Sequence, residues 1–290
     1  MSLTPSYTGA DKVTPHTLLA HKRAGTAFTA LTAYDYPTAR LADDAGIDLL
    51  LVGDSLAMAV LGHPDTLSVT LAEMIHHAKA VRRGTKRALL VVDMPFGSYH
   101  VSVEDTLRNA IRLVKESGAE AIKLEGGATQ TANVRALTAA QIPVIAHIGL
   151  TPQSLHAMGG YRVQGRTRAA ALQLADDALA LEAAGAIAIV LEGIPRELAT
   201  HITSLVTIPT IGIGAGPDTD GQVLVVHDLL QLTFTSPAKF VRPFADAGTL
   251  IREALTNYRA AVQARIFPAD AESYHAPGLE LDSEALTIAR

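Results

Sequence analysis

Cysteine is absent from the 290 residues, and so is tryptophan. The first absence removes disulfides, thiolate nucleophiles and Cys-ligated zinc together. Aromatic residues make up only 4% of the chain, and 24 Lys and Arg face 29 Asp and Glu, a formal net charge of −5. Such a chain has neither the cationic stripe nor the stacking platforms that nucleic-acid binding uses. Long hydrophobic runs are missing too. The run Ile187–Leu191 falls far short of the roughly 20 residues that a membrane-spanning helix needs. Met1 to Asp11 is polar and lacks the basic-then-apolar layout of a secretory leader. The expectation is a cytoplasmic protein that acts on small molecules, with no nucleic-acid or membrane partner.

What the chain does have is apolar content, 48% of its residues, arranged as short β-rich runs alternating with Ala- and Leu-rich helical stretches. The strands are read as Thr29–Tyr34, Leu49–Gly53, Leu89–Val92, Ala121–Leu124, Val144–His147, Ala188–Leu191, Thr210–Ile213 and Ala238–Val241. Helical stretches such as Thr70–Arg83, Val103–Ser117 and Arg168–Ala184 lie between them. Most strands are continuous Val/Ile/Leu runs, the pattern of a parallel sheet covered on both faces. Eight such units predict a closed (βα)8 TIM barrel rather than an open doubly wound sheet, and the length suits the roughly 250 residues that such a barrel takes. Gln222–Leu230, "QVLVVHDLL", fits strand or helix. It is read as a helix capped by Asp218 or Thr219, which leaves Ala238–Val241 as the eighth strand. Pro15–Arg23 is expected to form a helix covering the bottom of the barrel. Residues 1–268 are thus expected to form one catalytic domain. Residues 269–290 make a polar tail in which Asp270, Glu272, Glu280, Asp282 and Glu284 face only Arg290, suited to mobility or subunit contacts.

The polar groups that follow the apolar runs carry the functional signal. "LLLVGDS" ends in Asp54 and Ser55, "LLVVDMP" holds Asp93, "AIKLEGG" holds Lys123 and Glu125, "VIAHIG" holds His147, and "IAIVLEG" holds Glu192. In a barrel the C-terminal strand ends open into one mouth, where active sites are built. Side chains two apart on a strand share a face, so Lys123 and Glu125 project together. Each residue alone has a plainer explanation. Asp54 before Ser55 resembles a helix cap, Asp93 before Met-Pro a turn, Lys123 with Glu125 an ion pair, and His147 a satisfied core histidine. Five strands carrying such groups at the same end outweigh that reading, because buried charges are costly unless paired or bound.

Carboxylates without Cys or clustered His suit Mg²⁺ rather than zinc. Asp54 and Asp93 are the candidate direct ligands, and Glu125 is a third ligand or a water-mediated partner. A 2-oxo acid could complete the coordination, with the ion acting as Lewis acid on a developing enolate. Lys123 adds positive charge, Ser55 a hydroxyl, and Glu192 a base for the proton next to the carbonyl. Weaker signals lead elsewhere. "GIGAG", Gly212–Gly216, is followed by Pro217 and lacks the G-x-G-x-x-G spacing of a dinucleotide loop. His76 and His77 are expected at the surface, and Arg82–Arg87, "RRGTKR", as a solvated charged helix end.

The segments "VGDSLAMAVLGHPDTLSVTLAEM", "VVDMPFGSY", "IKLEGG", "HIGLTPQS", "GGYRVQGR", "LEGIP", "IPTIGIGAG" and "TDGQVLVVHDLL", in that order, resemble the ketopantoate hydroxymethyltransferase family from about Leu31 to Pro268. The resemblance implies a (βα)8 barrel, Mg²⁺ and 5,10-methylenetetrahydrofolate as co-substrate. The implied reaction takes 3-methyl-2-oxobutanoate to 2-dehydropantoate on the way to pantothenate and coenzyme A. It also implies metal ligands at Asp54, Asp93 and Glu125, oxo-acid contacts at Asp54, Ser55, Asp93 and Lys123, a proton acceptor at Glu192, and a homo-oligomer, a decamer. His147 falls in a family motif and is assigned a supporting polar role. Departures are small: Ala57 and Gln231 stand where the family usually has Gly, and Pro64 and Ser68 alter the loop after the second strand.

Three rivals stay open at this level. One is a Mg²⁺-dependent 2-oxo-acid lyase or aldolase on the same barrel. Another is a Schiff-base aldolase using Lys123, disfavoured because neighbouring carboxylates keep the amine protonated. The third is a metabolite-sensing barrel, which would need no proton acceptor.

Overall fold

The computed structural model describes residues 12–234 and 236–279. Eight parallel strands close into a barrel in sequence order: β1 Phe28–Thr32, β2 Leu49–Val52, β3 Leu89–Asp93, β4 Ala121–Glu125, β5 Val144–Gly149, β6 Ala188–Glu192, β7 Thr210–Ile213 and β8 Gly221–Leu224. The TIM barrel anticipated from alternation is therefore present. Helices α1 (Pro15–Ala24), α2 (Tyr36–Asp44), α3 (Leu56–Ala59), α4 (Leu71–Gly84), α5 (Val103–Ser117), α6 (Thr131–Ala139), α7 (Leu155–Met158), α8 (Arg168–Ala183), α9 (Arg196–Leu205), α10 (Val226–Leu229) and α11 (Ala247–Gln263) accompany them. Among the described residues no helix is long and apolar enough to cross a membrane. The C-terminal acids Glu280, Asp282 and Glu284 lie outside the described residues, while Asp270 and Glu272 form a short exposed 3₁₀ turn.

The period-2 alternation of the strands divides the core in two. Leu49, Leu51, Leu89, Val91, Ala121, Ile145, Ala188 and Val190 point into the barrel. Leu50, Val92, Ile122, Leu124, Ala146 and Leu191 point out against the helices. The same alternation, continued by one step, decides what the mouth contains. Asp93 is two residues after Val91, Lys123 and Glu125 are two and four after Ala121, His147 is two after Ile145, and Glu192 is two after Val190. All of them must face inward.

The bottom is closed as expected. α1 starts with a Thr14–Thr17 capping box and Pro15 in its first turn. It lays Leu18, fully buried, onto the inner cluster, a burial that contributes about 1.5–3 kcal/mol. Lysines on either side tie this segment across the barrel. Lys12 Nζ reaches Glu120 and Ala88 O, both at 2.7 Å, and Lys22 Nζ reaches Asp220 at 2.8 Å and Thr203 O at 2.9 Å.

The eighth strand corrects the sequence reading. Gly221–Leu224 is β8, paired with β1 over Phe28–Leu31 and with β7 at Ile211 and Gly212, and Ala238–Val241 is a turn. The helical part of "QVLVVHDLL" is only α10. Asp218 and Thr219 do not cap it: Asp218 pairs with Arg196 at 2.6 Å, and the Thr219 hydroxyl donates to Gly221 O. The helix reading rested on those two caps and on Ala238–Val241 as a strand, and the structure has neither. Here the seven residues 214–220 return the chain to the bottom unaided, so β8 begins earlier than a full βα repeat allows.

Two smaller expectations also shift. His76 is exposed, but His77 is half-buried, with its Nδ1 2.8 Å from Tyr34 O. Arg82 and Arg87, expected in solvent, are held at the bottom rim, 3.4 Å from Glu120 and 2.6 Å from Asp48.

Candidate active site

Asp54, Ser55, Asp93, Lys123, Glu125, His147 and Glu192 all line one cavity of about 210 Å³ at the C-terminal mouth. Its remaining walls are largely apolar, with Leu51, Val190, Ile213 and Val223 at its base and Met58, Tyr161 and Phe240 toward the rim. Asp54 follows β2 through Gly53. A Cβ at Gly53 would lie 2.8 Å from Ser55 Oγ, so glycine leaves the Ser55 hydroxyl room at the mouth. Register does the rest: Asp93 is level with Lys123, Glu125 with His147, and Glu192 with Gly149.

The charges are buried and unbalanced. Asp54, Asp93, Lys123, Glu125 and His147 are each 5% exposed or less. Lys123 Nζ stands 2.9 Å from Asp93 Oδ1 and 3.9 Å from Glu125 Oε1. Asp93 Oδ2 accepts from the Asp54 N–H at 3.1 Å. Asp54 Oδ2 accepts from Gln153 Nε2 at 2.8 Å, and Glu125 Oε2 from the Gln153 N–H at 3.0 Å. His147 bridges two acids, with Nδ1 3.3 Å from Glu125 and Nε2 3.3 Å from Glu192, and neither contact has hydrogen-bond geometry. Ser55 shares a 2.8 Å hydrogen bond with the Tyr34 hydroxyl.

Titration follows from these neighbours. Burial, then Glu125 and Asp93, push the Asp54 carboxyl well above its ordinary value. Burial also raises Asp93, against the pull of Lys123. For Glu125 burial is outweighed by the His147 contact, by Lys123 and by the Gln153 N–H, so its carboxyl is held low. Burial and Lys123 depress His147, but Glu125 and Glu192 prevail and push it up to about 9. Lys123 is likewise raised, because Asp93, Glu125 and Asp54 outweigh its desolvation. Three carboxylates that favour the ammonium form of Lys123 weigh against the Schiff-base alternative.

The donor set fits a hard cation. Four strand-end carboxylates, with Asp228 a fifth on the cavity wall, face one ammonium and one imidazole, and Asp93 Oδ1 has only the Lys123 ammonium at 2.9 Å. Among the described residues no three His, Asp or Glu side chains converge to hold a metal ion unaided. Mg²⁺ takes one or two protein carboxylates and fills its octahedron with water and substrate oxygens. Of the plainer readings, the Lys123–Glu125 ion pair is present at 3.9 Å, while those for Asp54 and His147 do not match the geometry. The Asp54 side chain caps no helix, Ser55 is the N-cap of α3 and makes no side-chain cap, and both His147 nitrogens lack a true hydrogen bond.

A family model described as ketopantoate hydroxymethyltransferase matches residues 12–270. The chain belongs to this family. It is 58% identical over 267 residues to the 3-methyl-2-oxobutanoate hydroxymethyltransferase of Koribacter versatilis (strain Ellin345), covering 92% of this chain and 90% of that protein. Its identity to the enzyme of the same name from Pelobacter propionicus (strain DSM 2379 / NBRC 103807 / OttBd1) is 52% over 264 residues, covering 91% and 98%. Among solved structures, 2,3-dimethylmalate lyase of the PEP mutase/isocitrate lyase superfamily superposes with a TM-score of 0.56 over 90% of this chain and 91% of that one. At 19% identity that likeness is one of fold.

For a hydroxymethyltransferase of this family, the sequence reading missed the residues that hold the carboxylates in place. Gln153, Tyr99 and Tyr34 are buried or nearly so and bond directly to Asp54, Glu125 or Ser55. Gln153 lies within the motif "HIGLTPQS", but an uncharged side chain in a loop gives no signal of its own. Of the departures from the family, Gln231 has a visible cost. Its φ is 55°, the left-handed region where a Cβ is strained and glycine is not.

Proposed function

We propose that this chain transfers a hydroxymethyl group from 5,10-methylenetetrahydrofolate to 3-methyl-2-oxobutanoate, giving 2-dehydropantoate, with Mg²⁺ as cofactor, in the supply of pantothenate and coenzyme A. The observation that carries the reading is a buried excess of carboxylate facing a small cavity, in which Lys123 and His147 are the only cations among the lining residues. The names of its relatives support the substrate.

Mg²⁺, when bound, supplies Lewis-acid polarisation of the 2-oxo group. Asp54 and Asp93 would hold it. Glu125 has one oxygen on the Gln153 N–H and the other facing His147 and Lys123, so it acts through water or through its charge. Lys123, kept protonated, attracts the carboxylate of the oxo acid, and Ser55 offers a hydroxyl oriented by Tyr34. Glu192, the least buried of the acids at 15% side-chain exposure, takes the proton from C3. That carbon then bonds to the one-carbon unit, and one water supplies the hydroxyl as tetrahydrofolate leaves. His147, charged between Glu125 and Glu192, keeps Glu192 aimed and screens the two acids from each other. Proton removal by a positioned base contributes on the order of 10²–10⁴ in rate.

The catalytic unit is the barrel to about residue 268, with the remainder an accessory tail. The chain works as a homo-oligomer, a decamer by resemblance. Support comes from α11, none of whose residues is buried and which exposes Leu250, Ile251, Leu255, Tyr258 and Val262. Supplying 3-methyl-2-oxobutanoate, methylenetetrahydrofolate and Mg²⁺ should yield 2-dehydropantoate, and omitting any one should abolish it. Cleavage of larger 2-oxo acids without folate, with no such product, would favour the lyase reading.

A further inference from the structure

We infer that Gln153 is a positioning residue for two acids of the metal site, the ligand Asp54 and its neighbour Glu125, fixing which oxygen of each turns toward the cavity. The inference rests on the Mg²⁺ reading above. Gln153 follows Pro152 in the loop after β5 and is 5% exposed. Its main-chain N–H donates to Glu125 Oε2 at 3.0 Å. Its Nε2 donates to Asp54 Oδ2 at 2.8 Å and to Met94 O at 3.0 Å. Its Oε1 accepts from the Tyr99 hydroxyl at 2.6 Å, and the Tyr99 oxygen accepts from the Glu125 N–H at 3.3 Å.

The direction of this chain is forced by what each group can do. The Glu125 N–H can only donate, so the Tyr99 oxygen accepts there and sends its own proton to Gln153. A flipped amide would set Oε1 against the Asp54 carboxylate and the Met94 carbonyl, both acceptors. Both Nε2 hydrogens are therefore committed, and one side chain ties together the strand ends of β2, β3 and β4. Asp54 Oδ2 and Glu125 Oε2 face protein, which leaves Asp54 Oδ1 for the cavity. Groups that orient a metal-ligating carboxylate commonly change metal affinity 10–100-fold when removed. A residue that only filled the core would lower the melting temperature and leave the affinity of the folded protein alone.

The test titrates Mn²⁺ alone, as a probe for the Mg²⁺ site, into the full chain by calorimetry and electron paramagnetic resonance. Gln153→Met, which keeps the length but removes the donors, should weaken Mn²⁺ binding about tenfold or more. Tyr99→Phe should weaken it by a smaller factor, and it carries the test if Gln153→Met does not fold. Asp48→Asn, at the opposite end of β2, should lower the melting temperature with Mn²⁺ affinity unchanged, separating stability from positioning. Wild-type affinity in the folded Gln153→Met protein, or in Tyr99→Phe if that variant alone folds, overturns the inference while the metal reading stands. Failure of the wild type to bind Mn²⁺ overturns the metal reading, and this inference with it.

Discussion

Strand β2 is flanked by two aspartates with opposite fates. Asp48, just before it, and Asp54, just after Gly53, are 9% and 4% exposed, so burial alone does not distinguish them. Partners do. Asp48 accepts from the Thr29 N–H and hydroxyl and pairs with Arg87 at 2.6 Å. Together these outweigh its burial and hold its carboxyl low. Asp54 has one amide donor and two acidic neighbours, and its carboxyl is raised. The pattern extends around the barrel. At the bottom, Asp220 accepts from Thr210 and Lys22, Glu120 from Leu90 and Lys12, and Asp43 from the N–H groups of residues 86–88. At the top, acids outnumber their partners. Saturated acids stitch strand starts together, and the unsaturated ones at the top are those we propose to hold the cation and the oxo acid.

The largest effect expected from that contrast is kinetic and confined to the top. With Mg²⁺ and 3-methyl-2-oxobutanoate in D₂O, loss of the C3 proton followed by NMR should fall by on the order of 10²–10⁴ in Glu192→Gln, with oxo-acid affinity little changed. Wild-type exchange in that variant would move the base elsewhere, His147 being nearest at 3.3 Å.

A stability effect of intermediate size belongs to the bottom. Removing the Asp48 carboxylate leaves buried donors short of an acceptor, so Asp48→Asn should cost about 1–3 kcal/mol in urea unfolding at neutral pH. Because the folded carboxyl titrates below its unfolded value of about 3.9, its stabilisation is complete above that pH and fades as pH falls through the folded value. The gap between wild type and Asp48→Asn should therefore narrow in acid. A gap that stayed constant down to the acid transition would show that the carboxylate's charge is irrelevant there.

The smallest effect lies outside both ends. Gln231→Gly relieves a left-handed backbone position and should stabilise by up to about 1 kcal/mol, with turnover unchanged. A loss of stability would mean that the Gln231 side chain has partners that outweigh the strain.

The barrel was legible because its strands are buried on both faces and announce themselves as apolar runs. The site was legible because period 2 continues past the apolar layer to Asp93, Lys123, Glu125, His147 and Glu192. β8 was not legible: Gly221–Leu224 is short, and "QVLVV" satisfies both periods, so only pairing with Phe28–Leu31 decides it. Gln153 and Tyr99 were not legible either, since an amide and a phenol take their role from neighbours brought together by folding. The bottom-rim pairs of Arg82 and Arg87 join elements 38 and 39 residues apart, contacts that no local pattern encodes.

The claim that unites the two ends of the barrel is tested most directly by melting three proteins, wild type, Asp48→Asn and Asp54→Asn, with and without Mg²⁺ plus 3-methyl-2-oxobutanoate. Asn at position 54 can still accept from Gln153 while removing a strained charge. Without ligands, Asp54→Asn should thus melt at or above wild type, by up to about 2–4 °C for each kcal/mol relieved, and ligands should no longer raise its melting temperature. Asp48→Asn should melt below wild type and keep the full ligand-induced rise. The reverse pattern, with Asp54→Asn destabilised but still ligand-responsive, would contradict the account.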